Sequence, residues 1–255
     1  TAESGVVDVS ADAELVEGGA PLGYRNALDM GDLDGDGLSE IVVGYYWRIT
    51  ASNYDGRAWL VPGDAAQRTG RAAISSVADA WWDGATRDRL ATSLAIAPDM
   101  DGDGLDELVI GANYADDSAT DGGAAYVYAG GTAWSGATST ASADLIIAGE
   151  TASEHFGYRA TGAEDLDGDG LGDLVVTATD YPVTVGRGAA LVYPGGTGAL
   201  AGTLGSSDAG WGWQGDADGN VYNRVAAGDF DGDGLSDVIT ARTNTSGYGL
   251  GLDLF

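Results

Sequence analysis

Short apolar runs rich in β-branched residues recur along the chain, each entered from a run of acids and glycines. Ile41-Val-Val43, Leu108-Val-Ile110, Leu174-Val-Val176 and Val238-Ile-Thr240 read as strands rather than helix starts. The first three are followed by stretches that alternate as half-buried strands do: Gly56-Arg-Ala-Trp-Leu-Val61, Gly123-Ala-Ala-Tyr-Val-Tyr128 and Gly188-Ala-Ala-Leu-Val-Tyr193. Gly-Gly or Pro-Gly turns mostly close them. A further strand is predicted at Ser142-Ala-Asp-Leu-Ile-Ile-Ala-Gly149, with a counterpart at Ser10-Ala-Asp-Ala-Glu-Leu-Val-Glu17. Each unit thus offers four strands, and the chain reads as all-β.

The acidic segments are one nine-residue pattern written four times. It spans 32–40, 99–107, 165–173 and 229–237, in the form Asp-x-Asp-Gly-Asp-Gly-Leu-x-Asp/Glu. Acids at positions 1, 3, 5 and 9 and the carbonyl of position 7 can converge on one centre, because the two glycines let the chain curl. The predicted ligands are Asp32, Asp34, Asp36, Leu38 and Glu40; Asp99, Asp101, Asp103, Leu105 and Glu107; Asp165, Asp167, Asp169, Leu171 and Asp173; and Asp229, Asp231, Asp233, Leu235 and Asp237. All are hard oxygen donors, which favours Ca2+. Zinc or copper sites call for His or Cys, and the chain has one His and no Cys. An EF-hand would close with Glu at position 12 between helices, whereas Val43, Ile110, Val176 and Thr240 stand there and strands follow. Asp216-Ala-Asp-Gly-Asn220 copies the start of the loop but carries Val221 and Arg224 at its later positions, and reads as a turn.

Asp32, Asp99, Asp165 and Asp229 lie 67, 66 and 64 residues apart, a period suited to one propeller blade per unit. The chain starts on the last strand of a unit and ends on the third strand of another, at Gly249-Leu-Gly-Leu-Asp-Leu-Phe255. Pairing those strands would complete a blade and remove the sheet edges.

The loops, the segments Leu22-Gly-Tyr-Arg25, Phe156-Gly-Tyr-Arg159 and Val221-Tyr-Asn-Arg224, and Val109-Ile-Gly-Ala-Asn113 together resemble the FG-GAP repeat of integrin α-subunit heads and of many secreted bacterial proteins. Phe-Gly is intact only at Phe156-Gly157, and the Gly-Ala after the loop's strand only at Gly111-Ala112. The family usually closes with seven blades, and this chain has material for four. The expected fold is therefore a single domain, 1–255, forming a β-propeller of four four-stranded blades closed by its terminal strands. Part of a larger, seven-bladed propeller, or two chains combined, are the alternatives. Integrin heads keep calcium on one face and recognise ligands on the other, and the resemblance implies the same division here.

Forty-three glycines and two methionines fit many short strands joined by tight turns. The net charge is −29, and four Ca2+ would still leave −21. With eleven Lys and Arg in no cluster, nucleic acid and anionic membrane surfaces are not expected partners. No window reaches the roughly 18 apolar residues of a membrane span, so membrane insertion is not expected. Calcium can do the stapling that disulfides do elsewhere. Its millimolar level outside cells favours a secreted or cell-surface protein holding about four structural Ca2+.

Aromatic residues crowd the segments expected at the end of the blades opposite the acidic loops. Tyr46, Trp47, Trp81, Trp82, Tyr114, Tyr181, Trp211 and Trp213 are the candidate ligand contacts, suited to sugar faces or to anchoring a protein. The expected function is a binding or adhesion module for an extracellular protein, or a lectin-like protein for a glycan. A purely structural segment of a larger surface protein is the third reading. A monomer is the expected state and a dimer the alternative. No nucleophile elbow or phosphate loop is present, and His155 beside Glu154 reads as a rim residue, so an enzyme is not expected.

Overall fold

A computed structural model describes residues 13–17, 20–21, 26–50, 53–63, 70–181, 187–198, 200–215, 220–244 and 250–254. Leu22-Gly-Tyr-Arg25, residues 10–12 and the Asp216–Gly219 part of the false loop lie outside them.

The chain enters on β1 (Ala13–Glu17) and β2 (Ala20–Pro21). Blade 1 follows with β3 (Asn26–Gly31) and β4 (Glu40–Tyr45), a small ribbon of β5 (Ile49–Thr50) and β6 (Asn53–Tyr54), then β7 (Arg57–Val61), β8 (Gly70–Ala73) and β9 (Ala80–Asp83). Blade 2 contains β10 (Leu90–Ala97), β11 (Glu107–Ala112), β12 (Ala124–Tyr128), β13 (Gly136–Thr138) and β14 (Leu145–Ala148). Blade 3 contains β15 (Phe156–Ala163), β16 (Asp173–Ala178), β17 (Ala189–Tyr193), β18 (Gly202–Gly205) and β19 (Trp211–Gln214). Blade 4 has β20 (Asn220–Gly228), β21 (Asp237–Asn244) and β22 (Leu250–Leu254).

Within blades 1 to 3, four strands run antiparallel in order: β3-β4-β7-β9, β10-β11-β12-β14 and β15-β16-β17-β19. The strand that precedes each fourth strand leaves its own blade. β8, β13 and β18 each pair in parallel with the fourth strand of the preceding unit, β1, β9 and β14. This stitch joins neighbouring sheets at their outer edges.

The apolar runs are short and nearly continuous because blades 2 and 3 are covered on both faces. Period-two alternation sends successive residues to opposite seams. In β11, Leu108 and Ile110 pack towards Val42, Ala58 and Trp82 of blade 1, whereas Val109 packs towards Leu174 and Val176 of blade 3. In β16, Val175 turns the other way, to Val238 of blade 4. The sheets thus stack face to face in chain order, an all-β, propeller-like arrangement.

The expected closure is not among the pairings. β1 pairs with β2 and β8, and β22 pairs with β21 only, among the described residues. β8 ties β1 to the blade 1 end of the stack, while β22 belongs to the sheet at the other end. Among the described residues blade 4 shows three strands where four were expected.

Candidate metal centres and opposite face

Each acidic loop joins the first strand of a blade to its second, so all four emerge at one end of the stack. The fold of each loop is written in its own carboxylates. The acid at position 1 accepts N–H groups from the glycines: Gly35 and Gly37 donate to Asp32 at 2.8 and 3.0 Å, Gly168 and Gly170 to Asp165 at 2.6 and 2.9 Å, and Gly232 and Gly234 to Asp229 at 2.7 and 3.0 Å. In the second loop Gly104 N donates to Asp99 at 2.9 Å. The acids at positions 3 and 5 each bind the N–H two residues on through Oδ1, as in Asp36 N to Asp34 at 3.1 Å and Leu38 N to Asp36 at 2.8 Å. These Asx turns explain why Asp stands at both positions. Both glycines of every loop have φ between 79° and 94°, a region open to Gly without strain.

The position 9 acid turns inward to the N–H of position 2. Glu40 Oε2 accepts from Leu33, Glu107 Oε2 from Met100, Asp173 Oδ2 from Leu166 and Asp237 Oδ2 from Phe230, at 2.6 to 2.9 Å. Carboxylates gather in all four loops, with ligand atoms within 4.8 Å of one another: Asp32, Asp34 and Asp36; Asp99, Asp101 and Asp103; Asp165, Asp167 and Asp173; Asp229, Asp231 and Asp237. The first two sets use positions 1, 3 and 5, and the last two use 1, 3 and 9.

This donor set fits a hard cation. Asp34, Asp36 and their counterparts hold the loop through Oδ1 alone, and every donor is oxygen. Glu107 is fully buried, and its Oε1 has no hydrogen-bond partner. Burial, with Asp101, Asp103 and Asp99 alongside, pushes its carboxyl up to about 8 against the pull of the Met100 N–H. Burial likewise raises Asp173 and Asp106. So many crowded acids, one with an orphaned oxygen, match a place for positive charge.

Neighbouring loops are joined to each other. Gly172 N in the third loop donates to Asp99 O in the second at 3.2 Å, and Ser236 N in the fourth to Asp165 O in the third at 2.6 Å. The Gly-Gly turns after β12 and the Pro-Gly-Gly turn after β17 close on the same rim: Gly131 N reaches Leu33 O at 2.7 Å, and Gly196 N reaches Met100 O at 2.8 Å. The acidic end is therefore one hydrogen-bonded series across all four blades.

The opposite end carries the connections from second to third and from fourth to first strands. Here Arg89 lies over the Tyr114 ring at 3.9 Å, Tyr114 packs on His155 at 4.6 Å between ring centres, and His155 Nδ1 is 2.6 Å from Asp180 Oδ2. That contact holds the Asp180 carboxyl below its ordinary range. The row crosses from blade 2 to blade 3. Beside it, Trp47 packs on Tyr54 at 4.9 Å and meets Tyr46 edge-on at 6.4 Å. Arg48 and Arg57 converge on Asp83, Arg48 at 2.8 Å and Arg57 Nε at 2.6 Å.

Four of the predicted ligand aromatics are elsewhere. Trp81 and Trp82 are part of β9, and Trp211 and Trp213 of β19, not of connecting loops. Trp82 is fully buried between blades 1 and 2, against Tyr128 at 5.4 Å and Trp134 at 6.0 Å, and cannot present its ring. Trp81 packs with the Val43–Trp59 cluster under Arg57 at 5.5 Å. Trp211 is exposed, Trp213 is half-buried, and both line an open groove beside Asp233 and Leu235 of the fourth loop. Tyr181 is half-buried beside the seam between blades 2 and 3. Tyr46, Trp47 and Tyr114 are at the predicted end.

Sequence reading missed Arg89 and Asp180. It also missed the counterpart of Phe156-Gly157 in blade 2, which is Leu90-Ala91. Leu90 bridges Gly56 as Phe156 bridges Gly123, and Ala91 takes φ 64° where Gly157 takes 80°. The signal was conformational: Ala gives no hint of a left-handed residue.

The family model for the FG-GAP repeat matches residues 24–61 and 90–128. These are the spans from the first strand through the acidic loop to the third strand in blades 1 and 2. The second match begins at Leu90-Ala91.

Proposed function

We propose that this chain, built from FG-GAP repeats, is a binding module of integrin-like propeller type that holds calcium at one end and its ligand at the other. The observation that carries the reading is the linked series of four acidic loops. Calcium would be held by the acids at positions 1, 3, 5 and 9 with the carbonyls of Leu38, Leu105, Leu171 and Leu235. It would supply the positive charge that lets the acids crowd together, and so fix each loop and the seam it belongs to. Its role in this reading is structural.

The ligand end is the row Arg89, Tyr114, His155 and Asp180 with the neighbouring Trp47 and Tyr54. Aromatic rings beside a guanidinium and a carboxylate suit an extracellular protein anchor, with a glycan as the second reading because the stacked Trp47 and Tyr54 rings are partly exposed. Asp117 is engaged by Tyr126 OH at 2.6 Å, and Asp116 by Asp121 N at 2.7 Å. We read the His155–Asp180 pair as a binding contact and the protein as a binder, not an enzyme. No helix among the described residues is long and apolar enough to cross a membrane. Export to a calcium-rich medium suits the loops.

Calorimetry with and without chelator tests the calcium half. Glycan-array binding and partner capture, each repeated with Tyr114→Ala, test the other. An unchanged melt in EDTA refutes the first half, and full binding by a folded Tyr114→Ala protein refutes the second.

A further inference from the structure

The first and second loops carry the same acids, Asp, Asp, Asp and Glu, at positions 1, 3, 5 and 9. Their last acid is nevertheless held differently. Glu40 has both oxygens engaged by backbone: Oε2 accepts from Leu33 N at 2.9 Å, and Oε1 from Gly63 N, in the turn after β7, at 3.0 Å. Asp173 of the third loop does the same, with Leu166 N at 2.6 Å and Gly195 N, in the turn after β17, at 2.9 Å. Glu107 Oε2 accepts from Met100 N at 2.6 Å, but its Oε1 has no partner. Asp237 of the fourth loop accepts from Phe230 N and is only half-buried. Glu107 is 0% exposed, so its second oxygen is shut off from solvent.

The turn after the third strand makes the difference. Pro62-Gly63 and Pro194-Gly195 open that turn in blades 1 and 3, and a proline has no N–H. Blade 2 has Ala129-Gly130 there, and Ala129 N donates to the exposed Asp144 Oδ2 at 2.9 Å. Glu107 Oε1 is left without a donor. A buried carboxylate oxygen with no hydrogen bond has lost its hydration without replacement, and marks the place of an ion or a water. Asp99, Asp101 and Asp103 stand beside it, which selects a cation.

The second loop is also held more firmly than the first. Blade 3 gives it three backbone bonds: Gly172 N to Asp99 O at 3.2 Å, Gly196 N to Met100 O at 2.8 Å and Gly198 N to Asp101 O at 3.1 Å. Blade 2 gives the first loop one, Gly131 N to Leu33 O at 2.7 Å. Ligand charge and rigidity together set the affinity of a calcium loop.

We propose that the four loops are unequal, and that the second is the tight calcium site, filled first and emptied last, with Glu107 Oε1 as the oxygen that sets it apart. This rests on the calcium reading above and adds an order of filling to it. An oxygen free of N–H bonds offers its whole negative charge to the ion, and binding supplies the partner that the buried oxygen lacks. The first loop, with the same acids, has no such oxygen. Calcium in the second loop also fixes Asp99, Met100 and Asp101, the residues to which blade 3 is bonded, so this ion secures the seam between blades 2 and 3.

Gly37 N and Gly104 N donate to the position 1 acids of the first and second loops, and their amide NMR signals report each site separately. Calcium would be withdrawn stepwise from the loaded, unmodified protein with a buffered chelator. Gly104 should keep its loaded signal down to a free calcium about ten-fold or more below that at which Gly37 loses its own. In Glu107→Gln the side chain keeps an oxygen for the Met100 N–H but turns an NH2 group to the ion, so the gap should close while the rest of the spectrum is unchanged. Gly37 and Gly104 changing together, or Gly104 first, overturns the proposal, and this comparison stands whether or not the variant folds. A gap that persists in a folded Glu107→Gln protein overturns it as well. Signals indifferent to calcium at every loop would overturn the calcium reading itself, and the proposal with it.

Discussion

Replacing Gly172 by Ala tests the seam that joins the second and third acidic loops. A Cβ at this position would lie 1.4 Å from Pro98 O, whereas ordinary contact begins near 3.4 Å, so the backbones must separate by roughly 2 Å. The third loop has little room to retreat, because Gly195 is tight against Gly172 O on its far side. Separation also removes the Gly172 N–H bond to Asp99 O. Overpacking of this kind costs about 1–3 kcal/mol and the lost hydrogen bond about 1, together roughly 2–4 kcal/mol. For a chain of this size that is a fall in Tm of roughly 4–16 °C. Gly196→Ala is the matched control, since nothing lies within 4 Å of its Cβ and its φ is not in the left-handed region. Its expected change is under about 0.5 kcal/mol. Calorimetry of both variants in calcium decides the matter. Should Gly172→Ala melt with Gly196→Ala, the close backbone approach between loops is not what holds blades 2 and 3 together.

Three further outcomes follow from the geometry. Chelation should lower Tm markedly. With affinities of roughly 10⁻⁴ to 10⁻³ M and about 2 mM calcium, four sites contribute roughly 3 to 7 kcal/mol, and a melt independent of EDTA contradicts this. Trp82→Ala should cost about 3–5 kcal/mol in a urea titration because the ring fills the seam between blades 1 and 2, whereas Tyr114→Ala should cost far less and reduce ligand binding instead. Burial, with Asp117, Asp116 and Asp55 nearby, raises Asp88 from 3.8 to about 6. The neutral form is thus favoured in the fold, and its stabilising effect is complete below 3.8 and lost as pH rises through about 6. Asp88→Asn keeps an oxygen for the Ala85 N–H, and should raise the urea midpoint at about pH 8 but not at about pH 4. Equal gains at both values would refute the assignment.

What local chemistry controls was readable from the residues alone. Four acids and two glycines at fixed spacing dictate the turn of each loop, because the Asp side chains bind N–H groups two to five residues away. The β-branched runs beyond them dictate strands. The fourth strand at Leu145–Ala148 and its counterpart at Ala13–Glu17 were legible from the same patterning, as was the third-strand character of Leu250–Leu254. Tertiary structure decided whatever depends on a neighbouring blade. Trp82 and Tyr114 are both aromatics beside polar residues in sequence, yet one is sealed against Tyr128 and Trp134 while the other lies between Arg89 and His155. Ala91 takes a glycine's conformation at the register shift between Leu90 and Ser93 of β10, which its own side chain cannot announce. Gly172 looks like any loop glycine until Pro98 of the preceding blade closes on it. The parallel pairing of β1 with β8 has the same origin: a strand sequence specifies its alternation, but the edge it joins is set by the segments that other blades bring alongside it.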